Sequence, residues 1–367
     1  ATALDPVASV PDLAADMARS ESGADHQTRL DHLRQIVGEK RFALATQIVI
    51  AATDPLAVAS GYGRVAEAAV EIAARAAVAD FERMHGRIPG GELVILALGR
   101  FGGGLLTHAS DLDLVYLFTG GFAGESNGPR PLGATLYFNR LAQRVTAALS
   151  VPTASGPLYA VDTRLRPSGA QGPIAVTLDS FARYQREDAW TWEHMALTRA
   201  RPVFGSAEAR EAVAAVIADV LAGNRPVRDL PAEVLAMRTE MARHKPAQGP
   251  LDPKLASGGL VDLEFAVHLI QLVHRTGFSP DLAVAIADLA GAGLLPATLG
   301  PAHDWLTRLL VTMRLVAPDA TEPSPATGAL IAQVLGLPDW PAVVATLHAT
   351  RQEVARVWQE VSGNGQG

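Results

Sequence analysis

Hydrophobic positions concentrate most densely in residues 91–118, where two apolar runs flank a glycine-rich turn. Residues 93–98 are apolar without a break, the pattern of a strand buried on both faces. Gly99, Gly102, Gly103 and Gly104 end the run and permit close backbone approaches that a side chain would forbid. Residues 111–118 read as a second strand, opened by Asp111 and Asp113. Strand residues two apart share a face, so these carboxylates point the same way from Cα atoms about 6 to 7 Å apart. That spacing lets both converge on a hard cation such as Mg²⁺. Paired aspartates at a loop-to-strand junction also occur as solvated turn residues. Here they sit on an apolar strand, where uncompensated charge is costly.

On either side of this unit the apolar period is helical. Residues 1–25, rich in Ala, Pro, Ser and Asp, predict a poorly ordered or short helical lead. Helices are expected from residue 26, with Leu30, Leu33, Ile36 and Val37 inward, then over 42–52 and 63–84. A turn at 86–91 leads into the first strand, and 119–133 reads as an exposed polar loop. After a helix over 134–149, residues 158–167 read as a third strand. Its period of two puts Asp162, Arg164 and Arg166 on one face. Such a triplet suits either a solvated sheet face or a metal-bound nucleoside triphosphate. A short strand is expected at 174–176 and one helix over 181–200, with Trp190 and Trp192 as packing residues. Arg201 reads as a charge complementing that helix's end, and Arg199 as either that or a phosphate contact. From residue 206 strand signals vanish, and seven helices are expected, at 207–221, 232–244, 260–275, 280–291, 301–316, 328–335 and 339–361. Lys254, in the loop before a Gly258-Gly259 pair, is a further candidate substrate contact.

Composition narrows the class. With 367 residues, 49% hydrophobic and 19% charged, the chain matches an ordinary globular protein of two or three domains. A formal net charge of -7 argues against nucleic acid or an anionic membrane as partner. Absence of cysteine excludes disulfides and thiolate metal sites. No apolar run reaches the roughly 18 residues that span a bilayer, and these features together predict a cytoplasmic protein. Because the chain begins at Ala1 and its first methionine is Met17, it reads as a piece of something longer. There is no GxxxxGK[ST], no GxGxxG and no HExxH, which removes P-loop, dinucleotide and zincin readings.

A glycine pair, a serine and Asp-x-Asp at the head of a strand, followed by a third acid on a later strand, resemble the nucleotidyltransferase superfamily of DNA polymerase β type. Residues 99–118, 161–172, 189–205 and 252–265 resemble, more closely, the bacterial glutamine synthetase adenylyltransferase/adenylyl-removing enzyme family. The wording of residues 187–201 is similar to that family's carboxyl-terminal, adenylyltransferase half. The resemblance implies an α+β fold, a polymerase β-like palm with a small mixed sheet, preceded by helices and followed by an all-helical domain. In this chain those parts are expected at 26–205, made of helices over 26–88 and a palm over 89–205, and at 206–367.

Carried over by position, the resemblance implies that Gly102, Gly103 and Ser110 position ATP. It makes Asp111, Asp113 and Asp162 the catalytic, Mg²⁺-binding carboxylates. Arg164 and Arg166 are then expected on phosphate oxygens, and Asp162 beside the attacking hydroxyl. The implied reaction moves AMP from ATP to a tyrosine of glutamine synthetase. Phosphorolytic removal of that AMP, giving ADP, and a non-catalytic module docking PII or glutamine synthetase are the alternatives. The family's Gly-Lys-Leu-Gly-Gly reads Gly99-Arg100-Phe101-Gly102-Gly103 here, and Leu105 stands where the family has glutamate.

Overall fold

The computed structural model describes residues 9–18, 26–121, 123–153, 156–223 and 229–363. Three helices come first: α1 (Val10–Ala18), α2 (His26–Val49) and α3 (Pro55–His85). The first occupies part of the expected lead, and residues 1–8 and 19–25 lie outside the described residues. The helices expected from residue 26 and over 42–52 are one continuous helix, since neither Gly nor Pro interrupts residues 39–49. The third helix starts eight residues earlier than expected, at Pro55, with Asp54 capping it by accepting from the Leu56 N–H. Its Gly63 is there for close packing, because a Cβ at that position would collide with the Gly104 carbonyl.

The sheet follows: β1 (Leu93–Ala97), the single-turn α4 (Gly99–Gly102), β2 (Leu112–Phe118), α5 (Ala134–Ser150), β3 (Val161–Asp162), β4 (Ala175–Thr177), α6 (Leu178–Glu187), α7 (Thr191–Leu197) and β5 (Arg201–Phe204). Strand order is β3-β2-β1-β5, with β4 also pairing β2. The β1 pairings with β2 and β5 are antiparallel, and those of β2 with β3 and β4 are parallel. The fold is therefore α+β with a small mixed sheet, as expected.

Three readings are corrected in this region. The expected strand over 158–167 is only two residues long, because Arg164 folds back onto Asp162 and turns begin at Thr163. One helix over 181–200 is in fact two, broken at Asp188–Trp190. Strand β5 was not anticipated, since four residues containing Pro202 carry little strand signal; the proline is tolerated at a sheet edge, where β1 shifts register.

Alternation along β1 and β2 divides the core. Leu93, Ile95, Ala97, Leu112, Leu114, Tyr116 and Phe118 pack against α1–α3 and α5. Val94, Leu96, Leu98, Val115 and Leu117 face the opposite way, onto residues of the later helices such as Phe181, Met195 and Leu269. Besides α6 and α7, the later helices are α8 (Ala207–Ala222), α9 (Leu230–His244), α10 (Leu260–His274), α11 (Leu282–Gly291), α12 (Leu299–Val316), α13 (Pro325–Val334) and α14 (Trp340–Gly363). Of these, α10–α14 build a third apolar cluster, while α8 and α9 pack into the cluster on the sheet. Arg308 of α12 holds both carboxylate oxygens of Asp54 at 2.9 Å, tying this helical part to the start of α3. Among the described residues no helix is long and apolar enough to cross a membrane.

Candidate active site

Register places the carboxylates. In the parallel ladder Asp113 is the partner of Asp162, so the two acids lie side by side on neighbouring strands. Asp111 precedes β2 by one residue. One oxygen from each of Asp111, Asp113 and Asp162 lies within 4.8 Å of the other two. Three convergent carboxylates form an all-oxygen set suited to Mg²⁺.

The electrostatics fit such an ion. Burial first, and then the charges of Asp111 and Asp162, push the Asp113 carboxyl up to about 6. A carboxylate so disfavoured in its charged form gains most from a cation beside it. Asp162 is moved the other way, below the usual carboxylate range, chiefly by hydrogen bonds from Arg164. The Arg164 Nε donates to both oxygens at 2.9 and 3.0 Å, and its backbone N–H donates to Oδ1 at 2.9 Å. A carboxylate has about four lone-pair positions, so this clamp leaves Asp162 able to ligate. Buried Val94, Leu96, Val115 and Leu117 each contribute about 1.5–3 kcal/mol. Together they outweigh the roughly 3 kcal/mol that a shift of this size at Asp113 represents.

Small residues shape the floor. Gly99 has φ +56, and a Cβ there would stand 2.5 Å from Asp113 Oδ2. At Gly102 a Cβ would strike the Arg199 carbonyl, and at Gly103 the Arg199 guanidinium. These two glycines thus seat α4 against Arg199. The Ser110 hydroxyl accepts from the Thr107 N–H at 2.9 Å and closes the turn before Asp111.

Opposite the acids lies a cluster that spacing did not disclose. A cleft of about 300 Å³ is lined by Asp111 and Asp113 on one side and by Arg100, Arg199, Lys254, Glu264 and Arg314 on the other. Glu264 takes a 3.0 Å ion pair from Arg199 and stands 3.9 Å from Arg100. Burial works to raise its carboxyl, but Arg199, Arg100 and Lys254 prevail and hold it at about 2. Lys254 is pulled down to about 8, by the Arg100 charge first and burial second. Four cations around one anion leave an excess of positive charge, and the Arg100 and Arg199 Nε atoms are buried without a hydrogen-bond partner. This is the electrostatics of a polyanion site.

The expected residues therefore separate. Asp111, Asp113, Ser110, Arg199 and Lys254 line the cleft; Asp162 joins the acids from the rim. Gly102 and Gly103 support it from behind. Arg164 is exposed and engaged with Asp162, while Arg166 donates to the Thr163 and Gly172 carbonyls at 2.8 and 3.3 Å. Neither side chain extends along a shared strand face, because no strand continues there. Arg201 does not complement a helix end: it lies in β5, donating to Glu67 at 2.9 and 2.6 Å and to the Gly102 carbonyl at 3.2 Å. Leu105 is partly buried and packs against the first core cluster, which accounts for an apolar residue at that position. Arg100, Glu264 and Arg314 line the cleft without having been read as site residues; the signals were the charge at Arg100 and the place of Glu264 within the 252–265 stretch. A larger depression of about 970 Å³ lies at the other end of β1, near Leu93 and Ser206, where Glu92 already accepts from Ser206.

Residues 3–216 match the family described as glutamate-ammonia ligase adenylyltransferase. Residues 232–362 match the family described as PII-uridylyltransferase. The chain is 38% identical, over 354 residues, to the bifunctional glutamine synthetase adenylyltransferase/adenylyl-removing enzyme of Brucella suis, covering 94% of this chain and 36% of that protein. It is 41% identical over 263 residues to the enzyme of that name from Agrobacterium fabrum, covering 71% and 27%. With that of Mesorhizobium japonicum it shares 35% over 349 residues, covering 92% and 35%. The chain spans about a third of the length of these curated relatives.

Proposed function

The chain belongs to the glutamate-ammonia ligase adenylyltransferase family, and we propose that it transfers AMP from ATP to a tyrosine hydroxyl of glutamine synthetase, thereby regulating nitrogen assimilation. The observation that carries this reading is the single cleft in which the aspartates face Arg100, Arg199, Lys254 and Arg314. A metal-bound triphosphate needs both halves at once. Asp111, Asp113 and Asp162 would hold Mg²⁺, which when bound would supply charge neutralisation at the reacting phosphate.

Arg199 and Arg100, kept in place by Glu264, bind the triphosphate together with Lys254 and Arg314. Their fixed positive charge offsets what accumulates on the departing pyrophosphate. The bond from the tyrosine oxygen to the α-phosphorus forms as the bond from that phosphorus to the β-phosphate bridge breaks. Gly99 leaves room for the Asp113 carboxylate, which would serve the metal, and Asp162 accepts the tyrosine proton. Because Arg164 holds the Asp162 carboxyl low, that residue is a weak base. Most of the acceleration is therefore assigned to positioning and charge neutralisation, as expected where phosphoryl groups transfer with little covalent help from protein.

Relatives carry both activities in their name, so phosphorolytic removal of AMP is the second reading. The two are separated by supplying α-labelled ATP with unmodified glutamine synthetase, or phosphate with the adenylylated form. The transfer reading requires label in the protein from the first mixture and no ADP from the second. PII is proposed as a further partner of the helices after α8, supported by the match of residues 232–362. Retention of PII by an Asp113→Asn variant would show docking independent of chemistry.

A further inference from the structure

We infer that Arg41 is a positioning residue for the carboxylate site, fixing how far Asp111 stands from Asp162, an inference that rests on the reading of these aspartates as the holders of Mg²⁺. Arg41 lies on α2 and does not line the cleft. Its guanidinium nevertheless meets both chain segments that deliver the flanking acids. One terminal nitrogen donates to the His108 carbonyl, just upstream of Asp111. The other donates at 3.2 Å to the Leu158 carbonyl, just upstream of Asp162.

The strand ladder alone holds these segments loosely. Strand β3 pairs with β2 only through Leu112 with Val161 and Asp113 with Asp162, and Asp111 lies outside that ladder. Asp111 follows a turn closed on itself: the Thr107 N–H donates to Ser110 Oγ at 2.9 Å, and the Ser110 N–H to the Thr107 carbonyl at 3.2 Å. Arg41 joins that turn to the segment before β3. A planar guanidinium presents its donors as a fixed fork, so two carbonyls caught by one fork keep a fixed separation. The arginine is itself held. Its guanidinium carbon lies 5.2 Å from the centre of the Tyr159 ring, and the Tyr62 hydroxyl of α3 donates to the Arg41 carbonyl at 3.3 Å.

Charge and position predict opposite effects at this residue. A guanidinium near a carboxylate site repels a divalent cation, so on charge alone its removal strengthens metal binding. If Arg41 spaces the acids, its removal weakens binding, because Mg²⁺ tolerates little departure from its preferred arrangement of oxygens. Residues that orient metal ligands typically carry about 10–100-fold of metal affinity. Arg34 supplies the internal contrast. It lies on the same helix, is more deeply buried, and donates to two carbonyls, those of Ala148 at 3.0 Å and Val151 at 3.2 Å. These belong to the end of α5 and not to the segments carrying the acids.

The test titrates Mn²⁺ alone, followed by its electron paramagnetic resonance, with Mg²⁺ as competitor, into the wild-type chain, Arg41→Met, Arg41→Lys and Arg34→Met. Urea unfolding of each protein reports stability beside it. Arg41→Met is expected to bind both ions about tenfold more weakly or worse. Arg34→Met binds as wild type, although it loses as much stability or more. Arg41→Lys keeps the charge but cannot fork across two carbonyls, so it binds about threefold more weakly and carries the test if Arg41→Met does not fold. Unchanged or tighter binding by the folded Arg41 variants, or an equal loss in Arg34→Met, overturns the positioning role and leaves the three aspartates as the metal site. Failure of the wild-type chain to bind Mn²⁺ overturns the metal site itself and the inference with it.

Discussion

Gly99 and Asp113 are adjusted to each other: a Cβ on the glycine would stand 2.5 Å from the carboxylate oxygen Oδ2. The glycine's φ of +56 adds a second reason for its identity, since an L side chain is strained there. Gly99→Ala is expected to cost about 1–2 kcal/mol of stability through the backbone alone and to displace Asp113. AMP transfer should fall at least about tenfold with the variant still folded, because sub-ångström placement governs such reactions. Circular dichroism and a transfer assay on one preparation check both halves.

Asp113→Asn should make the metal-free protein more stable while removing its activity. Folded Asp113 has its carboxyl raised to about 6, so its charged form is penalised at neutral pH and stability is lost as pH rises from the unfolded value through 6. The amide removes that penalty, and the melting temperature at pH 7.5 without Mg²⁺ should rise by a few degrees. Added Mg²⁺ should raise the melting temperature of the wild type and leave the variant where it was.

Much of this site was legible in residues 91–118, because a buried strand pair prints its period directly into the sequence and Asp111 and Asp113 ride on it. Asp162 was legible as a residue and misread in context. Alternating charge in Asp162, Arg164 and Arg166 imitates a strand face, whereas Arg164 turns back to clamp Asp162. Glu264, Arg199, Arg100 and Arg314 come together from α10, the end of α7, α4 and α12, and no local pattern can report a cluster assembled across some 200 residues. Trp190 and Trp192 show the limit of hydrophobicity as a guide to burial. Within an apolar helical stretch they read as core, yet Trp190 caps α7 and Trp192 sits in its first turn, both exposed.

Lys254 should give ATP binding an alkaline limb. Its ammonium, lowered to about 8, is charged at pH 7 and loses its proton as pH rises past that value. The KM for Mg·ATP should climb between about pH 7.5 and 9 in the wild type. Lys254→Arg, charged throughout, should flatten that climb. Parallel profiles for the two proteins would remove Lys254 from the phosphate site.

His268 and Glu264 predict acid sensitivity. Burial lowers the His268 imidazole to about 4, while its ring nitrogen meets Thr198 Oγ1 and Gln271 Oε1 at 2.9 and 3.0 Å. The unfolded chain then binds the extra proton more readily, so stability is lost as pH falls from 6.5 toward 4. Glu264, held at about 2, continues the loss from its unfolded value of 4.5 downward. Urea unfolding of His268→Gln across pH 7 to 4 should show a shallower decline than wild type above pH 5.

The central claim is that the three aspartates and the facing cations act together on the α-phosphate of Mg·ATP. It is tested most directly by incubating glutamine synthetase and Mg²⁺ with the chain or its Asp113→Asn variant, using ATP labelled at either the α or the γ phosphate. The account predicts α label on a tyrosine of glutamine synthetase, γ label released as pyrophosphate, and a loss of on the order of 100-fold or more in the variant at saturating Mg·ATP. Undiminished α-label incorporation by Asp113→Asn, or transfer of the γ label to the protein, would contradict it.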